Sequence, residues 1–157
     1  MTRLRGRAPR GRRLLAKAPH GHWRTTTMIS SVRLDGSTAC MTIEGATDTA
    51  VFQAYVREIL CPSLRPGDIV IMDNLGPHKN EHTVALIAAA GASARFLPAY
   101  SPDLNPIEMM WSKVKALLRS AEARSADQLQ CAIARSLRAV SAADARGWFA
   151  ACGYSII

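Results

Sequence analysis

The pattern of apolar and polar positions predicts a series of short strands and helices along most of the chain. Residues 23–34 (WRTTTMISSVRL) are rich in Thr, Ile and Val, which is typical of a strand. The Asp-Gly pair at 35–36 is a hairpin turn signal, and residues 38–43 are the expected return strand. Apolar residues at helical spacing predict a helix over 49–60, which Asp48 can cap.

The second half is predicted to alternate strands with helices. Residues 69–72 (IVIM) are a continuous apolar run, which is typical of a strand buried on both faces. The segment GPHKN at 76–80 is predicted to be a loop, and residues 81–90 a helix that Gly91 ends. This order indicates a mixed α/β layer fold without internal repeats. The remaining predicted elements are a strand over 94–97, a turn over 101–106, a helix from Asn105-Pro106, and helices over about 126–140 and 142–152.

Length and composition favour one cytoplasmic domain. The chain has 157 residues, about the size of a single domain, and 48% of them are apolar. No apolar run approaches the roughly 18 to 20 residues of a membrane span, and no apolar segment follows the basic N-terminus as in a secretory signal. The scattered cysteines, without a CxxC pair, predict buried free thiols in a reducing compartment. They are Cys40, Cys61, Cys131 and Cys152.

The positive charge is concentrated at the N-terminus. The net charge is +8, whereas the 133 residues after position 24 contain 12 basic and 12 acidic side chains. We expect residues 1–22 to form an extended basic arm, separate from a folded part over 23–157, and to bind nucleic acid, because neutralised phosphates release counterions. The alternative is a solvated tail without a dedicated partner. The basic residues are Arg3, Arg5, Arg7, Arg10, Arg12, Arg13, Lys17 and Arg24.

Asp73 is a candidate functional acid because it directly follows the predicted strand over 69–72. Ligand sites of open α/β sheets lie at the carboxyl ends of strands. The alternative is structural, since Asp-Asn after a strand often starts a turn through bonds from the side chain to the backbone.

Glu108 is the second candidate acid, and it also has a structural alternative. Asn105 is a good helix cap, Pro106 suits the first helical position, and Glu108 stands three residues after the cap. This spacing is that of a capping box, in which Glu108 would only stabilise the helix end. Lys113 and Lys115 follow on the same helix and could meet a DNA backbone or simply be solvated.

The histidines are weak metal candidates. His78 and His82 are four residues apart, as helical zinc ligands would be, but no third ligand has suitable local spacing. His20 and His22 flank a glycine in the basic arm and are interpreted as phosphate-binding or surface groups.

Two segments resemble the catalytic core of mariner-superfamily insertion-sequence transposases: DNLGPHKN and LPAYSPDLNPIEMMWSKVK. In that family a strand ends in Asp-Asn, a His follows in the next loop, and a Tyr-Ser-Pro-x-Leu-Asn-Pro-Ile-Glu-x-x-Trp segment carries the last acid. The gap of 34 residues between the two acids matches one subgroup. The matching residues are Asp73, Asn74, His78, Tyr100, Ser101, Pro102, Leu104, Asn105, Pro106, Ile107, Glu108 and Trp111.

The resemblance implies a ribonuclease H-like α/β fold, in which helices flank a mixed sheet. It also implies an enzyme that cuts and joins DNA. Such enzymes use Asp-Asp-Glu or Asp-Asp-Asp to hold two Mg²⁺ ions, or Mn²⁺ in their place. Asp73 would be the second acid and Glu108 the third, both as metal ligands. Asn74, His78 and Asn105 would be supporting residues. The implied partners are DNA and either a second copy of the chain or a complementing N-terminal half.

The resemblance also implies that a part is missing. The first acid of the family lies on a central strand before the GRAPRG-like loop, and this chain begins at Met1 within that loop. Asp35, Asp48 and Asp68 are poor substitutes, because Asp35 lies in the hairpin turn, Asp48 caps a helix and Asp68 opens the strand over 69–72. We therefore expect two unpaired strand edges, marginal stability and little activity from the chain alone. Three alternatives remain: a remnant that only binds nucleic acid, a nuclease that recruits Asp35 or Asp48, and purely structural roles for both acids.

Overall fold

A computed structural model describes residues 6–15 and 24–155, and its element order confirms the predicted mixed α/β architecture. Irregular helical turns occur at Val56–Leu60 (π), Cys61–Ser63 and Pro102–Leu104 (both 3₁₀). The regular elements are β1 (Thr26–Val32), β2 (Thr38–Glu44), α1 (Thr49–Tyr55), β3 (Ile69–Met72), α2 (Gly76–Lys79), α3 (Glu81–Ala89), β4 (Ser93–Phe96), α4 (Pro106–Ala121), α5 (Ala126–Arg138) and α6 (Ala142–Ala151).

Strands β1 and β2 form the predicted antiparallel hairpin, with Thr26 opposite Glu44 and Val32 opposite Thr38. The turn requires glycine at position 36 for two reasons. Its φ is +84°, and a Cβ atom there would lie 2.6 Å from the carbonyl carbon of Ser141. The hairpin turn is therefore packed against the start of α6.

A first core lies between the hairpin, α1 and α3. Asp48 caps α1, as predicted, by accepting a hydrogen bond from the backbone N–H of Val51 at 2.8 Å. The Tyr55 hydroxyl donates to the backbone oxygen of Ala39 at 3.0 Å and ties α1 to β2. Burial raises the pKa of this hydroxyl far above its usual value. The buried residues are Phe52, Tyr55, Val56, Leu60, Met72, Ile87 and Ala92.

Strands β3 and β4 are parallel and are joined through α2 and α3. The prediction that β3 is buried on both faces is wrong, since Ile69 is 61% exposed. The predicted loop over GPHKN is also wrong, because Gly76–Lys79 is a short helix with proline in its first turn. Helix α3 ends one residue before its predicted end, and Gly91 follows with φ +79°.

A second core is formed by the C-terminal helices. Met110, Val114 and Leu118 lie four residues apart along α4 and are at most 3% exposed. Lys113 of α4 donates to Asp144 of α6 at 2.5 Å, and Asp144 also completes a capping box with Ser141. The Lys113 ammonium is the main cause that lowers the pKa of Asp144 to about 2. The other buried members are Ala132, Ile133 and Val140.

In the described residues the four strands form two separate pairs, and a cleft lies between β1 and β3. Arg33 crosses this cleft with two hydrogen bonds to the Asp68 carboxylate, of 2.6 and 2.9 Å. Because Arg33 follows β1 and Asp68 precedes β3, the two strands run in opposite directions across the cleft. The cavity between them has a volume of about 690 Å³.

Two predictions about composition can also be compared with the structure. All four cysteines are free, as predicted, and Cys152 is buried; Cys131 is exposed and Cys40 and Cys61 are only partly covered, so predicting burial for all four was wrong. Over 6–15 and 24–155, no helix combines the length and apolar character that crossing a bilayer requires.

Candidate functional site

The candidate site lies where β3 and β4 end. Because the strands are parallel and Met72 is paired with Phe96, both strands end at the same edge of the sheet. Asp73 is the first residue beyond β3, and Leu97 is the first beyond β4. The side chain of Asn74 donates a hydrogen bond to the backbone oxygen of Leu97, which holds together the two segments that follow β3 and β4. Asn74 thus positions the loop that carries Asp73.

Asp73 has a structural bond and an exposed carboxylate. Its Oδ1 accepts a hydrogen bond from the backbone N–H of Leu75 at 3.1 Å, which is the turn that the structural alternative predicted. The side chain nevertheless remains 48% exposed. Both its bond to Leu75 and its contact with His78 are made through Oδ1, which leaves Oδ2 without a partner among the described residues.

His78 lies against Asp73 and belongs to the short helix α2, which begins three residues after Asp73. Its Nδ1 is 2.6 Å from Asp73 Oδ1, but the contact lies away from the direction of a ring N–H bond. The buried Nδ1 therefore lacks a hydrogen-bond partner among the described residues. The ring lies 4.3 Å from that of Phe52, centroid to centroid, so the first core fixes its position.

Glu108 is exposed in the first turn of α4, whereas Met110 two residues later is fully buried. The alternative that Glu108 belongs to a capping box is wrong, because the Asn105 side chain makes no capping hydrogen bond. Asn105 instead lines the cleft beside Glu108. Glu108 is therefore a first-turn acid without the helix-capping role that its spacing suggested.

Asp73 and Glu108 line the same cavity, together with His78, Asn105 and Trp111. Carboxylates from β3 and from α4, distant in sequence, thus open on one space. Oxygen ligands of this kind suit a hard divalent cation.

The other carboxylates considered as a third acid have different roles. Asp68 precedes β3 and Asp73 follows it, so the two lie about 17 Å apart at 3.3 Å per residue. Hydrogen bonds from Arg33 lower the pKa of Asp68 to about 2. Asp35 accepts bonds from Ser37 in the hairpin turn, which lower its pKa, and Asp48 caps α1.

The residues that were predicted to contact nucleic acid differ in their exposure and in their ion pairs. Residues 6–15, with Arg7, Arg10, Arg12 and Arg13, are exposed throughout. Arg24 is 81% exposed and lies 3.5 Å from Glu44. Lys115 is exposed, whereas Lys113 is paired with Asp144. Arg3, Arg5, Lys17, His20 and His22 lie outside the described residues.

Sequence reasoning missed two charged residues, one beside His78 and one at the opposite end of the cleft from Asp73. Lys79 is exposed at the end of α2, next to His78, and its place in GPHKN was the available signal. Arg33 bridges the cleft to Asp68, a pair 35 residues apart for which the sequence contains no signal.

A family model described as DDE superfamily endonuclease matches residues 1–130. The chain belongs to this superfamily. The matched region includes the basic segment, both strand pairs, Asp73 and Glu108, and it ends within α5. The mixed α/β fold with small sheets and flanking helices is consistent with a ribonuclease H-like DDE domain. No curated protein matches the chain.

Membership of the DDE superfamily implies a DNA substrate and, in general, divalent metal ions. The described residues fit this requirement in part. Two carboxylates open on one cleft, but no group of three or more His, Cys, Asp or Glu residues in the described chain could hold a metal. Mg²⁺ is commonly bound by one or two carboxylates, with water and substrate phosphate as its other ligands. Two carboxylates are within the number of protein ligands that one such ion commonly takes.

Proposed function

We propose that Asp73 and Glu108 form the metal-binding part of a DNA-cleaving site, in the catalytic domain of a mariner-type insertion-sequence transposase. The reaction is cleavage and transfer of a DNA strand that depends on Mg²⁺ or Mn²⁺. One observation carries the proposal: two carboxylates from β3 and α4 line one cleft, and Glu108 is free of the capping role that would explain it structurally.

Asp73 Oδ2 and the Glu108 carboxylate would hold the ion. A divalent cation in such a site activates a water or a 3′-hydroxyl and stabilises the leaving oxygen at phosphorus. The backbone N–H of Leu75 is bonded to Oδ1, which leaves Oδ2 for the ion, and His78 packs beside the same carboxylate. Lys79 adds a positive charge beside the phosphate-binding edge.

The metal site is tested by titrating the chain with Mn²⁺ and counting bound ions by electron paramagnetic resonance. We expect Asp73→Asn and Glu108→Gln each to weaken Mn²⁺ binding about tenfold or more, because each removes one of two charged ligands. Glu81→Gln is the matched control, since Glu81 is also an exposed acid in a first helical turn. Equal Mn²⁺ affinity in all three variants would refute the site.

The cleft between β1 and β3 supports a complementing strand as the partner. A strand that runs parallel to β3 would be antiparallel to β1, so it could hydrogen-bond both unpaired edges at once. Its C-terminal end would emerge beside Asp73, where an acid could supply the third carboxylate. A complementing N-terminal segment fits this position better than a second copy of the chain, which would have to lend one of its own paired strands.

This partner is tested by nicking of a supercoiled plasmid in Mg²⁺. The chain is compared alone and after co-expression with a segment that contains an apolar strand ending in aspartate. We expect low activity alone and at least about tenfold more in the complex. An increase that survives Asp73→Asn would show that the activity comes from another site.

Non-catalytic binding of nucleic acid is a second candidate function, favoured by the full exposure of the arginines in residues 6–15. For binding of this kind, the logarithm of the association constant falls linearly with the logarithm of the salt concentration, with a slope of about −0.9 per phosphate contact. Replacing Arg7, Arg10, Arg12 and Arg13 by Gln should therefore make the slope less negative by up to about 4. An unchanged slope would exclude these four arginines from the interface. A protein that binds DNA in either way would be found at the nucleoid of a bacterial cell.

A further inference from the structure

Three large apolar side chains are exposed in the segments around the carboxyl ends of β3 and β4. Leu75 is 58% exposed, Phe96 38% and Tyr100 103%. Leu75 lies two residues after Asp73, Phe96 is the last residue of β4, and Tyr100 follows in the next loop. Exposed apolar groups grouped around a site of chemistry commonly mark a surface for a ligand.

Tyr100 makes no visible contribution to folding. Its side chain is fully exposed, so it buries no apolar area. Its φ is +58°, in the left-handed region that bulky residues avoid. A large residue that is held in an unfavourable conformation and packs against nothing points to a role in binding.

The loop around Tyr100 is held on both sides. Before it, the Asn74 side chain is bonded to Leu97, which lies three residues from Tyr100 and hence within about 11 Å of it. After it, the Tyr154 hydroxyl donates to the backbone oxygen of Leu104 at 2.9 Å. Tyr100 is thus placed along the chain between the segments that carry Asp73 and Glu108.

We propose that Tyr100 stacks on an unpaired nucleobase of the DNA next to the phosphate at Asp73 and Glu108, with Leu75 and Phe96 completing an apolar rim. This inference rests on the proposed function, because it takes the carboxylate edge as the place where DNA is cut. An aromatic side chain offers every base a stacking face, whereas a paired and stacked duplex leaves no base face free. The substrate is therefore DNA with at least one base unpaired beside the cleavage position.

The test compares two oligonucleotide duplexes that differ only in whether one 2-aminopurine is bulged or paired. Binding to the full chain is measured by anisotropy in EDTA, and stacking by quenching of 2-aminopurine fluorescence. We expect tighter binding and stronger quenching with the bulged base. Tyr100→Asn should reduce affinity for bulged DNA about five- to a hundredfold, and affinity for paired DNA less than about twofold.

Asn is chosen because it accepts a left-handed φ, so the variant removes the ring without straining the loop. Tyr100→Trp should keep the preference for the bulged base, which separates stacking from a structural role. Leu117→Asn is the matched control, since Leu117 is an exposed apolar residue on α4 whose loss should leave the preference unchanged. A Tyr100→Asn chain that retains the preference and the quenching would overturn the proposal.

The outcomes distinguish this inference from the proposed function. The Mn²⁺ titration contains no DNA and reports on the carboxylates alone, whereas the 2-aminopurine measurement contains no metal. One possible result is that Tyr100→Asn loses the preference for the bulged base while the unsubstituted chain binds no Mn²⁺. This result would refute the metal site and support the stacking surface. Mn²⁺ binding without any preference for the bulged base would do the reverse.

Discussion

Similar apolar side chains are buried in the helical core around α4 but exposed in the cleft beside β3. Met110 is fully buried against α5, whereas Ile69, in an equally apolar segment, is 61% exposed to the cleft. A helix satisfies its backbone hydrogen bonds internally and needs only a cover for one face. A strand needs a neighbour on each edge, and within the described residues β3 has one on a single edge. The two candidate acids lie where these regions meet. Asp73 follows β3, which borders the cleft, and Glu108 is in the first turn of α4, which belongs to the helical core.

The largest expected effect tests this contrast directly. Met110→Ala should reduce the free energy of unfolding by about 2–5 kcal/mol, because it leaves a cavity in a closed core. Ile69→Ala should change it by less than about 1 kcal/mol, since most of the Ile69 side chain is already in water. Urea unfolding followed by circular dichroism measures both. Similar losses in the two variants would mean that the cleft is closed in solution.

The bridge across the cleft should have the next largest effect. Arg33→Gln removes two charge-assisted hydrogen bonds and leaves the largely covered Asp68 carboxylate without them, at a cost of about 1–3 kcal/mol. Arg57→Gln is the control, because its pair with Glu58 is more than half exposed and should contribute less than about 1 kcal/mol. Urea midpoints of the two variants that coincide would show that the bridge does not hold the strand pairs together.

Local sequence patterns predicted the elements well because their causes are local. The Asp-Gly turn, the cap at Asp48 and the stop at Gly91 each depend on a few neighbouring residues, and all three appear in the structure. The apolar run over 69–72 correctly predicted a strand. Its burial was mispredicted because burial depends on what lies beside the strand, which a local pattern does not contain.

The site was predictable in its residues and less so in its contacts. The motif segments identified Asp73 and Glu108 as candidates, and the structure brings both to one cleft. The spacing of Asn105 and Glu108 suggested a capping box that the side chains do not form. The Arg33–Asp68 bridge joins residues 35 apart in sequence, and only the fold brings them together.

A smaller effect is expected from acidification. The pKa of Asp68 is lowered to about 2 by Arg33, and that of Asp144 to about 2 by Lys113. A carboxyl whose pKa is lower in the folded than in the unfolded chain contributes stability that is present above its unfolded pKa of about 4. That contribution is lost as the pH falls from about 4 through 2. The loss should be modest, because 21% of the Asp68 side chain and 27% of the Asp144 side chain are exposed to water.

The urea midpoint measured from pH 6 to pH 2 tests this prediction. Asp144→Asn should flatten the profile below pH 4 by removing one of the carboxyls whose pKa is lowered in the folded chain. Asp127→Asn is the control, because Asp127 is an exposed acid in the first turn of α5 and should leave the profile unchanged. A midpoint that rises on acidification would contradict the assigned direction of both pKa values.

The smallest effect is a gain in stability at Tyr100. Its left-handed φ of +58° is unfavourable for an aromatic residue by about 1–2 kcal/mol, and glycine adopts that conformation freely. Tyr100→Gly should therefore stabilise the fold, by no more than about 1 kcal/mol, because glycine also gains entropy in the unfolded chain. The same substitution should weaken binding to DNA with a bulged base. Destabilisation would instead show that the ring holds the loop in place, and it would remove the reason for assigning Tyr100 to the substrate.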